Sequence, residues 1–499
     1  MKVLFCMGHD GFIRNFEPVL RGLAEQGHEV RVALSGRRPA LMSGARTVEE
    51  LCAEVPNLSW CRAAKGRDHD FTTFEDALNT SRDYIRFNGP AYRDAHALRA
   101  RARQFAPPPA ARLADLPGVR SAAGVRILDR ALRALQRLIP VSAEVAGQLA
   151  EERPDVVLVT PLIGFRSRQV ALVRAARAAG VPSALLVHSW DNLTNKGVLH
   201  ELPDRVIVWN EPQREEAVAL HGVPRDRVIV TGAQSYDHWF DWEPATERGR
   251  FCGEIGLDAE RPFVLYVCSS SFIAPDEVRF LRRWLAELRA VPALRDIGVL
   301  VRPHPQHLDQ WRDIRLDDPG RSAVWPGTDA DRSGRRSREQ YYDSIHHAAA
   351  VVGINTSALI ESAIQRRPVL TVLEPQFRAT QSGTLHFSHL AADDDGLLIV
   401  GRSMGEHLDQ LAAAVDAGAD PERTRRFLER FVRPRGLDLA ATPAVLAAIE
   451  DVAAARRAPH PQTRRSRWLR GVAAPLARVL RRSEARLTAG RRKLGGESR

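Results

Sequence analysis

Apolar runs of five or six residues alternate with helical periods along most of this chain, and few folds other than a parallel sheet flanked by helices accommodate that alternation. Residues 2–7 (KVLFCM) form the first run, which ends at Gly8. Asn15 is placed to cap a helix with Pro18 in its first turn. Phe16, Val19, Leu20, Leu23 and Ala24 then follow the spacing of one helical face, and Gly27 ends it. A second strand is expected over 28–34 (HEVRVAL), with others at 155–160, 183–187, 205–209 and 228–231 and helices at 168–179 and 212–221. After an aromatic, acidic stretch at 236–243 a second series begins. It reads as strands at 262–268, 298–302, 351–354 and 368–373, with helices at 276–288, 341–349 and 357–366.

Two blocks of similar size predict an α/β protein of two doubly wound, Rossmann-like domains facing a cleft. The first spans 1–235 with an Arg-rich helical insertion over 37–150, the second spans 245–455 with return helices, and 456–499 is a basic tail. Ligands of such sheets lie beyond the carboxyl ends of the strands, so the cleft is the expected site.

Charge is concentrated at one end. The tail from Arg456 carries 14 basic and two acidic residues, a local +12 against +11 for all 499 residues, so the body is close to neutral. A nucleic-acid-binding body is disfavoured on that ground. The five cysteines are scattered without a C-x-x-C pair and read as reduced thiols of a cytoplasmic protein, with no zinc site. No apolar run approaches the ~20 residues that span a bilayer.

The sharpest cluster of candidate site residues is in the second block. One strand runs into Arg302-Pro303-His304-Pro305, and another ends in Asn355-Thr356-Ser357 and turns into a helix. Hydroxyls and unpaired N–H groups at a helix start form an anion site. Arg302 and His304 add charge or donors for a phosphate, and Glu361, one turn along, could accept ribose hydroxyls. Ser269 and Ser270 end a third strand and suit a phosphate or base. His386 or His389, within QSGTLHFSH, could line the cleft. In the first block, His9 and Asp10 lie between Gly8 and Gly11, a candidate general-base pair. The strand-end loop 188–197 (HSWDNLTNKG) gathers Trp190, Asp191, Asn192 and Lys196. There Trp190 could stack on a sugar face, Asn192 and Lys196 bind an acceptor, and Asp191 take its proton. A simple structural use exists for each piece: a helix cap, a strand stop, an Asx turn. Their convergence at strand ends favours function.

The opening MGHDGFIRNFEPVLRGLAEQGHEVRVAL resembles the first βαβ unit of GT-B glycosyltransferases. VRPHP (301–305) and GINTSALIESAIQRRPVLTV (353–372) are similar to donor-side motifs of bacterial capsule and envelope polysaccharide transferases, CDP-glycerol glycerophosphotransferases and UDP-N-acetylglucosamine 2-epimerases. The resemblance implies a GT-B fold, a nucleotide-linked donor on the second domain, a glycan or lipid-linked acceptor on the first, and no bound cofactor or metal. Two departures stand out: position 369, eight after Glu361, is Val rather than Glu, and Asn355-Thr356-Ser357 replaces the epimerases' glycine-rich helix start. An inverting glycosyltransferase is therefore the leading expectation. A CDP-polyol phosphotransferase, an epimerase and a non-catalytic scaffold are its rivals.

If 467–487 is helical, Trp468, Leu469, Val472, Leu476, Val479, Leu480 and Leu487 fall on one arc, and Arg467, Arg470, Arg478, Arg481 and Arg482 on the other. That pattern fits a helix lying in the interface of an anionic membrane, gaining roughly 1 kcal/mol per cation near the surface. It would make the protein peripheral at the inner face of the cell membrane.

Overall fold

A computed structural model describes residues 1–36, 47–66, 71–326 except 313, 315, 317 and 319, 334–455 except 394, and positions 458, 471, 474 and 475. The tail helix expected over 467–487 thus lies outside the described residues except at Gly471, Ala474 and Pro475.

Two parallel sheets organise the chain. The first contains β1 (Lys2–Met7), β2 (Glu29–Leu34), β3 (Leu58–Arg62), β4 (Val156–Thr160), β5 (Ser183–Leu186), β6 (Arg205–Val208) and β7 (Val228–Val230), in the order β3-β2-β1-β4-β5-β6-β7. The second contains β8 (Phe263–Val267), β9 (Gly298–Arg302), β10 (Ser322–Val324), β11 (Ala350–Gly353), β12 (Val369–Val372) and β13 (Ile399–Gly401), in the order β10-β9-β8-β11-β12-β13. Strand order reverses between β1 and β4 in one sheet and between β8 and β11 in the other. Ligands of doubly wound sheets bind at these points, where the flanking loops diverge. The expected strands and helices are present, most with ends moved by one or two residues.

Differences from the sequence reading have local causes. β3 lies inside the insertion and has one buried residue, Leu58, so no apolar run marks it. β10 and β13 are three-residue edge strands. The helix expected from 341 starts at Gly334, because its first two turns (GRRSREQ) carry no apolar period. Asn15 does not cap α1 (Ile13–Glu25). A 3-10 turn, Asp10–Phe12, precedes the helix, and His9 caps that turn by accepting the Gly11 N–H at Nδ1, 3.1 Å away. Pro18 consequently lies inside α1, where it removes one backbone donor.

The insertion continues with α2 (Thr72–Arg86), α3 (His96–Arg103) and α4 (Ala122–Gln136). Arg82 is buried between α2 and α4, donating to Asp129 at 2.9 Å and Gln136 at 2.6 Å. Past β6, α5 (Glu211–His221) leads to β7; in the second domain come α6 (Gly334–His346) and α7 (Ala358–Ile364). The last described helix with a full apolar face, α8 (Thr442–Ala454), returns to the first sheet. Asp237 anchors its start, accepting from the Ala441 N–H at 2.8 Å and the Thr442 N–H at 2.7 Å. Val445, Leu446, Ile449 and Val452 share one core with Val3, Phe5, Phe16 and Leu20. No helix among the described residues is long and apolar enough to cross a membrane.

Because Ile449 is fully buried in that core, Ile449→Ala is expected to cost about 2–5 kcal/mol of stability. A drop in the urea midpoint without a change in its slope checks this.

Candidate active site in the interdomain cleft

The first wall of the cleft is built on β1 and β5. Gly8 follows β1, and a Cβ there would lie 2.9 Å from the Phe12 ring and 3.2 Å from Pro161. The bare backbone lets Phe12 fold back and pack between two histidines, 4.6 Å from His9 and 4.9 Å edge-on from His188. Asn15 Nδ2 donates to the His188 carbonyl at 3.0 Å, so α1 holds the β5 loop at its root. Burial, with Lys196 nearby, pushes the His188 imidazole down to about 3. Asp10 is half-buried beside His9.

The loop 188–197 is organised from behind. Arg86, at the end of α2, donates to the carbonyls of Leu193, Lys196 and Gly197. Asp83, one turn earlier, accepts the Val198 N–H at 2.8 Å, and a Cβ at Gly197 would run into its carboxylate. Arg101 on α3 donates to the Asn195 carbonyl, and its guanidinium lies 4.2 Å from the Phe272 ring of the second domain. His221 on α5 bonds the Leu193 carbonyl at 2.7 Å and the Leu199 N–H at 3.1 Å.

Within that frame the expected acceptor residues divide. Trp190 is 5% exposed and packs edge-on against His386 at 4.9 Å, so its face is closed to a sugar. Asp191 accepts from Ser189 Oγ and Asn195 Nδ2, one to each oxygen. Burial would raise its pKa, but His386, Lys196 and the Ser189 bond outweigh it and hold the carboxyl below its usual range. A carboxylate so engaged is a weak base; it fixes the turn. Lys196 is half-buried with its pKa lowered by burial. Asn192 is wholly buried, and neither amide atom finds a well-aligned partner among the described residues.

The second wall flanks the other reversal point. Ser269, after β8, is buried; its N–H donates to Glu277 at 2.8 Å, and its Oγ accepts from the Asn355 N–H at 3.4 Å, across the divide between β8 and β11. Ser270 is half-buried, and its carbonyl closes the turn onto Ile273 and Ala274. Thr356 and Ser357 cap nothing. Ser357 already has helical dihedrals, and neither hydroxyl bonds to a described residue. Arg302 turns away from its expected place, donating to Ser344 Oγ at 2.8 Å beneath the Tyr341 ring, where it braces α6. His304 accepts the Gln306 N–H at Nδ1 and is pushed down to about 4 by burial and by Arg14, so its ring is neutral and supplies a donor at Nε2, not a charge. Glu361 is half-buried; Tyr341 donates to its Oε2, and burial raises its pKa against that bond and Arg14.

Arg14 is the residue the sequence reading missed. It is exposed on the first turn of α1 and acts electrostatically on His188 and Tyr236 of the first domain and on His304 and Glu361 of the second. In a chain whose cations are nearly all Arg, no local signal separates it from the others. The second unforeseen arrangement is the clasp at His386. Its Nδ1 lies 3.3 Å from Thr194 Oγ1 and its Nε2 3.5 Å from Asn355 Nδ2, so one imidazole joins the β5 loop to the start of α7. Asn355 Nδ2 also donates to the Thr380 carbonyl at 3.0 Å, which orients the amide and makes Nε2 the acceptor. His389, three residues on, pairs with Glu216 of the first domain at 2.6 Å.

No protein-family model matches the chain, and no curated protein matches it in sequence. Solved structures do. A candidate UDP-N-acetylglucosamine 2-epimerase from Listeria monocytogenes superposes with a TM-score of 0.50 at 12% identity, covering 92% of this chain and 98% of its own. A glycosyltransferase from Rickettsia africae gives 0.50 at 11% identity, covering 90% and 98%. The chain has the GT-B fold. Its two sheets, two reversal points and intervening cleft are the framework that glycosyltransferases and UDP-N-acetylglucosamine 2-epimerases share.

One imidazole that joins the two walls of the cleft, His386, is neutral at pH 7, and acid must disturb it. His386 is pushed down to about 4 by burial. Between the ordinary value near 6.5 and 4, the unfolded chain binds a proton that the folded ring refuses, so stability falls as pH falls. This one ring is expected to cost ~2 kcal/mol between pH 7 and 5. The melting temperature of wild-type protein should decline over that range more steeply than that of His386→Gln.

Proposed function

We propose that the chain transfers a sugar from a nucleotide-linked donor to an envelope glycan or lipid-linked acceptor, with inversion. The observation that carries this reading is the helix start at Thr356 and Ser357, whose hydroxyls bond to no described residue. The Arg14 guanidinium from the first domain acts across the cleft on His304 and Glu361, while the uncommitted hydroxyls of Thr356 and Ser357 end the neighbouring strand segment. A donor phosphate between them would meet positive charge from one side and hydroxyl and N–H donors from the other. That arrangement favours the transition state, in which charge grows on the leaving phosphate. Glu361 Oε1 accepts no bond from the described residues and suits a ribose hydroxyl. Arg302 supports α6, and the charge role assigned to it passes to Arg14.

The acceptor proton goes to the His9–Asp10 turn. Asp191 is engaged at both oxygens, so the role passes to His9 and Asp10, the alternative base pair in the turn that follows β1. Attachment through the tail at 467–487 to an anionic membrane would bring the enzyme to a lipid-linked acceptor.

Incubation with UDP-, CDP-, GDP- and TDP-linked donors, read for nucleotide release, tests the reaction class. Conversion of the sugar with no nucleotide released would identify an epimerase, and release of CMP from a CDP-polyol a phosphotransferase. Arg14→Ala is expected to lower kcat/KM for the donor about 100-fold, with partial rescue by Lys, at unchanged melting temperature because the side chain is exposed. Asp10→Asn should lower kcat by about 10²–10⁴ with donor affinity retained. Asp191→Asn should instead lower the melting temperature, since it loosens the 189–195 turn.

A further inference from the structure

The helical insertion presents an outer surface that the cleft does not explain. Among the described residues, five large hydrophobic side chains are exposed, and four belong to this one segment: Leu113 at 47%, Leu116 at 53%, Ile127 at 67% and Leu135 at 40%. Along α4, at 100° per residue, Ile127, Ala131 and Ala134 fall on one side and Arg126, Arg130 and Arg137 on the adjoining one, and all six are exposed. Arg112 and Arg120 are exposed in the turns before it. The two acidic residues of the segment are drawn inward. Asp115 pairs with Arg99 and Arg103, and Asp129 with Arg82 and Arg133. What remains exposed in the segment is five arginines and four apolar tips, its two carboxylates each being paired with arginines.

We infer that this face, residues 112–137, docks on an anionic lipid bilayer surface. The charge selects phosphate headgroups, and the apolar tips have a use only where they can enter an acyl boundary. A nucleic-acid backbone would pair with the arginines and leave Leu113, Leu116 and Ile127 in water. A folded protein partner would need a shaped acidic surface, whereas a bilayer accepts scattered apolar tips between cations. The face also lies on the structure that controls the cleft: α4 is joined to α2 through Arg82, and α2 carries Asp83 and Arg86, which fix the loop 193–198. A membrane seated there would stand on the side of the molecule that holds the first wall of the cleft. The inference rests on exposed side chains and holds whichever group the cleft transfers.

Full-length protein sedimented with vesicles of phosphatidylcholine and phosphatidylglycerol tests it, with phosphatidylcholine vesicles as the comparison. Two variants, Leu116→Glu/Ile127→Glu and Arg120→Ser/Arg126→Ser/Arg130→Ser, alter exposed positions and should leave the melting temperature unchanged. Each is expected to weaken binding to the mixed vesicles by about tenfold or more, and added salt should weaken the wild type likewise. Variants that sediment as the wild type does would overturn the inference. So would loss of oligonucleotide binding with vesicle binding intact, which would assign the arginines to nucleic acid.

Discussion

One neutral imidazole sits where the two sheets aim their strand ends at each other. His386 receives a hydrogen from Asn355 and gives one to Thr194, and Thr194 passes its own to the Asp191 carbonyl at 3.1 Å. The ring works as both donor and acceptor only while uncharged, and burial keeps it so. Around it, Trp190 closes over the ring edge, and His389 pairs with Glu216.

The loop on the first-domain side of that junction could not hold its shape alone. Carbonyls at 193, 195, 196 and 197 all point inward, and a buried carbonyl without a donor is costly. Two arginines of the insertion, Arg86 and Arg101, supply the donors, and Asp83 accepts from the backbone beyond. Arginine suits this because its planar fork reaches several carbonyls at once. The insertion is therefore part of the site's architecture although none of its residues was singled out from the sequence.

Much of the framework was legible in residues 2–34 and their repeats, because a buried parallel strand needs a continuous apolar run and a covering helix needs a 3.6-residue stripe. The reversal points placed Ser269 and Asn355 together as strand-end residues. The individual roles were less legible. Trp190, Asp191 and Arg302 have the chemistry of binding residues, but each is committed to its own fold by neighbours 40 or more residues away or by its own turn: His386, Asn195 and Ser344 respectively.

By itself the sequence determined that there would be two doubly wound sheets, and it pointed to the loops after β1, β5, β9 and β11 as the place where candidate polar residues gather. These follow from local periodicity and from the geometry of strand ends, which any chain with this pattern obeys. Only the tertiary structure decided which arginine is tied into the fold and which stays exposed. Arg14 and Arg302 are chemically identical, and what separates them is that Ser344 and Tyr341 wait for one while the other is exposed on the first turn of α1 beside Asn15.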